Sequence, residues 1–144
     1  MIVPLISEGS FDMDLKYPDA ESAAVKTIEN FMAYLNSGNN AGLYDTIHIP
    51  HVRISGNGVR IYNNFQELQE NYLQDFRDRA GDSWHHTVLD STEILHSSAS
   101  KVHVYIQWTR YDAKNLLLAT HKALWILTRV DARWGVQARS SFAP

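Results

Sequence analysis

The sequence predicts an α+β fold in which three helices and a short hairpin cover one face of an antiparallel sheet. Between residues 19 and 81, apolar side chains recur every three or four positions, which is the spacing of amphipathic helices. From Trp84 to Phe142 the period falls to two, as in the run Val102–Trp108, and strands are expected. The pair Asn57 and Gly58 separates two short alternating runs and indicates a hairpin between the second and third helices.

The first two helices have recognisable ends. Asp19 is a good N-cap for the first helix, and Gly38 ends it because glycine readily adopts the left-handed conformation found at helix C-termini. Asn40 can cap a short second helix, which Pro50 ends. The predicted buried face of the first helix consists of Ala24, Ile28, Phe31 and Leu35.

The third helix begins at Asn64, which forms a variant of the capping box with Glu67. Its apolar residues keep the helical spacing until about Ala80. Residues 1–18 carry mixed signals and are expected to form an N-terminal arm. Residues 19–144 are then predicted to be a single domain.

Two turns, at residues 112–115 and at 131–132, predict the register of the last three strands. The predicted cross-strand pairs are Ile106 with His121, Val102 with Trp125, Trp125 with Ala138, and Ala123 with Ser140. Paired residues share a face of a sheet, although a β-bulge would move part of a strand to the other face.

This register divides the strand residues into two sets. The set predicted to lie against the helices is Val102, Val104, Ile106, Trp108, Ala119, His121, Ala123, Trp125, Leu127, Val136, Ala138 and Ser140. The set predicted for the outer face is Tyr105, Gln107, Leu118, Thr120, Lys122, Leu124, Ile126, Gln137 and Arg139. An outer face of this composition favours a half-polar surface between two subunits over an anion site at Arg139.

Composition excludes several classes of function. The chain has no cysteine, which excludes disulfides, cysteine-ligated metal centres and a thiol nucleophile, and fits a reducing cytoplasm. Its net charge is −3, whereas nucleic-acid-binding proteins usually carry a basic stripe. No apolar run approaches the roughly 20 residues that span a bilayer. Neither nucleic acid nor a membrane is therefore predicted as a partner.

The order of these elements resembles the nuclear-transport-factor-2-like superfamily, which includes ketosteroid isomerases, SnoaL-type cyclases and scytalone dehydratase. The best local matches are residues 30–39, 128–136 and 140–142, within a resemblance that spans about 19–142. The resemblance implies a cystatin-like cone with an open mouth, in which a curved antiparallel sheet wraps around three helices. It also implies a homodimer that forms through the outer face of the sheet.

The catalytic groups of the ketosteroid isomerases are replaced at the matching positions. Phe31 stands where the resemblance implies a tyrosine donor, and Ser55 stands about where it implies an aspartate base. The histidines common near the end of the last strand fall about at Ala138 and Ser140. These departures argue against the isomerase mechanism, which needs a positioned carboxylate and donors for an oxyanion.

Two histidines are the candidate catalytic residues. The predicted register places His121 on the apolar face, where it could be a general base or a ligand donor. The alternative is a histidine at the edge of the core that is bonded to a backbone carbonyl. His86 opens its strand near the predicted mouth, and whether it or His85 faces the pocket stays open.

Several other residues are candidate ligand contacts. Trp108 and Trp125 share the predicted core face and would form a wall for a flat apolar ligand, or would simply fill the core. The complete set of predicted ligand-binding residues is Trp108, Trp125, Phe31, Tyr34, Ser55 and Ser140.

No metal and no cofactor is predicted. A metal site needs three or four converging ligands, and only His121, one of the pair His85 and His86, and Glu93 could meet inside the cone. Asp90 and Glu93 are expected on an exposed face. Glycine-rich nucleotide motifs are absent from the sequence.

Two functions stay open. The first is a SnoaL-like small-molecule-binding protein or enzyme, of isomerase, cyclase or dehydratase type, with an apolar or aromatic ligand in the cone. The second is a non-catalytic module that dimerises through its outer sheet face.

Overall fold

A computed structural model of the chain describes residues 16–144. Its helices are α1 (Pro18–Ser37), α2 (Asn40–Asp45) and α3 (Phe65–Ala80), and its strands are β1 (Ile47–Ser55), β2 (Gly58–Tyr62), β3 (His86–Ser97), β4 (Lys101–Tyr111), β5 (Leu117–Val130) and β6 (Arg133–Ser141). Most of the predicted arm, residues 1–18, lies outside the described residues, and the single-domain boundary stays a prediction.

The N-cap prediction for Asp19 is wrong, because α1 begins at Pro18 and Asp19 lies inside its first turn. The other helix ends follow the predicted residues more closely. Gly38 ends α1 with a positive φ of 73°, which glycine adopts without strain. The side chain of Asn39, one residue before the predicted cap, accepts a hydrogen bond from the Gly42 N–H at the start of α2. Asn64 accepts one from the Glu67 N–H, which confirms the predicted cap of α3.

Six strands form one curved sheet in the order β2-β1-β6-β5-β4-β3. Neighbouring strands are antiparallel except β1 and β6, which are parallel. The sheet is therefore mixed, whereas the sequence predicted only antiparallel strands. Turn residues predict the pairing of strands that a short turn joins, but β1 and β6 are far apart in the chain and no turn constrains their direction.

The register of β4 and β5 differs from the predicted one by two residues. Trp108 pairs with His121 and Val104 pairs with Trp125. The Asp112 carboxylate accepts hydrogen bonds from the Lys114 and Leu116 N–H groups, so the turn extends beyond residue 115. A shift of two residues leaves every side chain on its predicted face, because the period of a strand is two.

The register of β5 and β6 differs by one residue, and this difference exchanges the two faces. A β-bulge lies between Ile126 and Leu127, so that Trp125 pairs with Arg139. The outer-face prediction for Arg139 is wrong: its side chain is buried on the helix side of the sheet. The core predictions for Ala138 and Ser140 are wrong for the same reason, since the bulge turns them outward.

Two rows of paired residues define the outer face of the sheet. They are Val59, Ile54, Ser140, Leu124 and Tyr105, and next to them Ile61, Val52, Ala138, Ile126 and His103. The helix α1 packs against β3, β4 and β6 on the opposite, inner face. The hairpin β1–β2 thus turns its apolar residues outward, and turns His51, Arg53 and Tyr62 inward.

We predict that Leu68→Ala lowers the free energy of unfolding by about 2–5 kcal/mol, because the side chain is lost from a closed core. Leu68 lies in α3 and is 0% exposed. The matched control is Leu116→Ala in the β4–β5 turn, where the leucine is 62% exposed and the change should be within about 0.5 kcal/mol. Urea unfolding of both variants measures the difference. Equal losses would contradict this description of the core.

Candidate functional site

A small cavity lies between the inner face of the sheet and the helices α1 and α3. Its volume is about 30 Å³, which is room for one or two water molecules or a planar group of similar size. Its lining residues are Phe31, Met32, Leu35, Arg53, Tyr72, Phe76, Arg79, Thr87, Trp108, Arg110, Ala123, Trp125, Arg139 and Ser141. Aromatic rings and arginines dominate this wall.

The aromatic part of the wall is built from α1 and the two middle strands. Phe31 meets Trp125 edge-on, with ring centroids 4.9 Å apart and planes at 84°. Trp108 lies one inward position beyond Ile106 on β4 and pairs with His121 of β5, while Trp125 pairs with Val104. Edge-to-face packing fixes ring orientations and leaves flat faces for a further apolar group.

Four arginines line the cavity, and each comes from a different element. Arg53 belongs to β1, Arg79 to α3, Arg110 to β4 and Arg139 to β6. Arg53 and Arg139 are direct partners across the parallel pair of strands. The lining residues named above include no aspartate or glutamate. The site is therefore strongly electropositive.

Arg139 is buried among aromatic rings and contacts a histidine. Its guanidinium carbon lies 5.4–5.9 Å from the ring centroids of Tyr72, Trp125 and Phe31. Its Nε donates a hydrogen bond to His51 Nε2 at 3.1 Å. His51 Nδ1 in turn donates to the Val136 carbonyl at 3.0 Å, so that the imidazole is neutral and carries its proton on Nδ1.

Burial and mutual repulsion make the charged forms of these groups costly. Burial, together with Arg79 and Arg139, lowers the pKa of Arg53 to about 9. Burial and Arg79 lower the pKa of Arg110 to about 10. Burial also lowers the pKa of Arg139. A buried cluster of like charges has this effect because each group destabilises the charge on the others.

Three of the predicted ligand contacts line the cavity, and three do not. Trp108, Trp125 and Phe31 are in its wall. The Tyr34 ring packs over Gly42 of α2, where an added Cβ would lie only 2.8 Å from it. The Ser55 hydroxyl accepts a hydrogen bond from the Asn57 N–H in the hairpin turn, and Ser140 is on the outer face. The neighbouring Ser141 reaches the cavity in its place.

The two candidate catalytic histidines are not brought together. His121 is half-buried and is not among the cavity-lining residues, but its ring centroid lies 5.0 Å from that of Trp108. Burial, with Arg110 and Arg53 as further causes, lowers the pKa of His121. His86 instead stacks on Tyr111 at the edge strand β3, and its Nδ1 lies 2.9 Å from Nδ1 of His85.

The other titratable candidates lie outside the cavity. Asp90 is exposed and accepts hydrogen bonds from Thr109 and Gln107, and Glu93 is exposed on β3. Within residues 16–144, no three His, Asp, Glu or Cys side chains are placed as ligands of one metal ion.

Sequence reasoning missed the arginines and His51. One signal was present in β4, where Arg110 follows Trp108 by two positions and is therefore expected on the same inward face. In β1 the alternation is clear, but it does not say which set faces inward. Arg139 could be found only by knowing the position of the bulge.

Comparison with known proteins bears on the fold. No protein-family model and no curated protein matches this sequence. A Nostoc punctiforme protein of unknown function with a cystatin-like fold aligns with a TM-score of 0.69 at 9% identity, over 86% of this chain and 90% of that chain. The chain has the nuclear-transport-factor-2-like fold. The predicted resemblance is thus confirmed for the fold.

Two further solved structures share the nuclear-transport-factor-2-like fold with this chain. A Shewanella oneidensis protein of this type, of unknown function, aligns with a TM-score of 0.66 at 17% identity, over 85% of this chain and 98% of that one. A ketosteroid isomerase-like protein from Erwinia carotovora atroseptica aligns with a TM-score of 0.63 at 16% identity, over 85% and 94%. At these identities the likeness concerns the fold alone.

We predict that the free energy of unfolding falls as the pH drops below 6.5. Burial, followed by the charge of Arg139, holds the pKa of His51 well below its ordinary value of 6.5. Arg79 and Arg53 also face this imidazole and act in the same direction. Below pH 6.5 the unfolded chain takes up a proton that the folded chain resists, so stability is lost until the pKa of the folded state is reached.

Urea unfolding between about pH 8 and about pH 5 measures this slope. His51→Gln should make the slope shallower, while the control His85→Gln, at an exposed site, should keep it. Part of the slope remains in both variants, since the pKa values of His48, His103 and His121 are also lowered. A His51→Gln variant with the wild-type slope would contradict the prediction.

Proposed function

We propose that the protein binds a small molecule with a flat, apolar body in the cavity of its cone. The observation that carries the proposal is the convergence of Phe31, Trp108 and Trp125 on one cavity next to polar groups. Pockets for small molecules are typically apolar and aromatic with a few directed polar groups. The ketosteroid isomerase-like neighbour supports a small-molecule site by its name only.

The same residues argue against the ketosteroid isomerase mechanism. Phe31 lines the cavity without a donor, and Ser55 and Ser140 lie away from it. An isomerase, cyclase or dehydratase activity would need other groups. His121 is the titratable candidate closest to the aromatic wall, with its ring against Trp108. Binding is therefore the core of the proposal, and His121 is the residue that would supply a base to a catalytic version of it.

The size of the cavity sets a condition on the ligand. About 30 Å³ holds a planar group of a few atoms, but not a complete aromatic ring. A ring can enter only if flexible wall residues such as Met32 and Arg79 change rotamer. Rotamer changes of this kind are common when proteins bind small partners, while the backbone stays in place.

We predict that filling the cavity abolishes binding of aromatic fragments. Ala123 is buried in the wall, and Ala123→Leu places a larger side chain in the cavity. Ligand-observed NMR with benzoate, benzamide and indole should detect binding to the wild type and at least about tenfold weaker binding to the variant.

The matched control is Ala119→Leu, on the same strand but outside the cavity lining, which should bind as the wild type does. Thermal unfolding checks that both variants fold, because overpacking also costs stability. Ser141→Leu fills the cavity from the opposite wall if Ala123→Leu does not fold. Unchanged binding in a folded, filled variant, or no binding of any fragment to the wild type, would overturn the proposal.

A second candidate function is a dimerising module, and the outer face of the sheet favours it. Ile54, Val59 and Ile61 are 49%, 64% and 42% exposed, and they form adjacent cross-strand pairs with each other and with Val52. A contiguous apolar patch of this kind is typical of an interface between proteins. We propose a homodimer through this face, in which Leu124 and Tyr105 continue the patch.

We predict that the wild type sediments with twice the chain mass of 16.4 kDa at micromolar concentration. The double variant Val59→Lys and Ile61→Lys should sediment as a monomer, because lysines on the patch are costly to bury. Leu116→Lys, in the exposed β4–β5 turn, is the control and should remain a dimer. A monomeric wild type would exclude this interface.

Composition supports a proposed location in the cytoplasm and the absence of nucleic acid as a partner. The absence of cysteine agrees with the cytoplasm, where thiols stay reduced and disulfides are rare. The net charge of −3 argues against nucleic acid as a partner. Within residues 16–144, no helix is both long and apolar enough to cross a membrane.

A further inference from the structure

We propose that the ligand of this cavity is an organic carboxylate whose anionic group is held by Arg53, Arg79, Arg110 and Arg139, called here the arginine cluster. This inference rests on the proposed function and specifies the chemistry of the ligand. A sequence with net charge −3 nevertheless collects four cations around one small cavity.

The arginine cluster has no counter-charge of its own. The one ion pair in the described part of the chain joins Arg60 to Asp75, and neither residue lines the cavity. Proteins normally pair buried charges, because an isolated charge in a low dielectric is strongly disfavoured. A bound anion would supply the missing partner and would relieve the repulsion within the cluster.

Unused donors show where the anion would lie. Arg79 Nε, Arg110 Nε and Arg139 Nη2 are buried and have no hydrogen-bond partner among the described residues. All three side chains are part of the cavity wall. Buried donors without partners are rare in folded proteins and mark places where a ligand or water accepts the bond.

The guanidinium groups are held in place before a ligand arrives. Arg110 lies over the Trp108 ring, with its guanidinium carbon 4.4 Å from the ring centroid, and 5.3 Å from that of Phe76. Arg139 is enclosed by three rings and is oriented by its hydrogen bond to the neutral His51. Groups fixed in this way lose little entropy when they bind.

The composition of the site favours an organic carboxylate over inorganic phosphate. A carboxylate is planar and offers two acceptor oxygens to the fork of an arginine. Inorganic phosphate could accept hydrogen bonds from the same donors, but it has no apolar part to contact the aromatic rings of the wall. The aromatic rings beside the cluster would then contact the apolar body of the same ligand.

Isothermal titration calorimetry at low ionic strength tests this with benzoate, its neutral isostere benzamide, and inorganic phosphate. The wild type should bind benzoate at least about tenfold more tightly than benzamide. Arg139→Met and Arg110→Met should each abolish this preference while benzamide affinity changes less. The matched control Arg129→Met, at an exposed position of β5 outside the cavity lining, should keep the preference.

The outcomes separate the two proposals. Equal affinity for benzoate and benzamide would leave a small-molecule pocket but overturn the carboxylate. Tighter binding of phosphate than of benzoate would also overturn it. Binding of none of the three probes would overturn the proposed function itself, and this inference with it. Removing a buried charge can stabilise a protein, so the two cavity variants are expected to fold, and thermal unfolding verifies it.

Discussion

The β-bulge between Ile126 and Leu127 is the local feature on which the candidate site depends. It inserts one extra residue into the β5–β6 ladder and thereby moves Arg139 from the outer face to the inner face. The parallel pairing of β6 with β1 then sets Arg139 beside Arg53. Without the bulge, Ala138 and Ser140 would face the helices, and the cavity would lose Arg139 but keep the three arginines that come from other elements.

A buried arginine cluster is expensive, and the surrounding residues reduce its cost in two ways. The faces of Trp108, Phe31, Tyr72 and Trp125 attract the guanidinium groups through their negative π-clouds. His51 accepts the Nε–H of Arg139 and stays neutral, so it adds a hydrogen bond without adding a fifth charge. These contacts satisfy only part of the donor capacity, and the remaining N–H groups are the ones that the proposed anion would use.

The sequence predicted the helices, some of their caps and the existence of the sheet, because those features depend on neighbouring residues. Asn64 and Gly38 act as predicted. The register of β4 and β5 differs from the predicted one by two residues, and each side chain therefore stays on its predicted face of the sheet. The site was predicted at Trp108 and Trp125, where the strands keep their alternation, and at Phe31 on the buried face of α1. Arg139 and Ser140 were exchanged because a bulge has no local signature there, and Arg53 was missed because alternation does not distinguish inside from outside.

The hairpin β1–β2 contributes residues to both faces of the sheet. It therefore belongs both to the proposed ligand site and to the proposed dimer interface. Arg53 and Ile54 are consecutive in β1 and therefore point to opposite faces. A slip of one residue would bury Ile54 and expose Arg53, which would give a more conventional core and a more polar exterior. Buried His51 and Tyr62, which face each other across the hairpin, oppose that slip. The register that retains a costly cation inside thus also retains an apolar patch outside, and a single structural constraint maintains both surfaces.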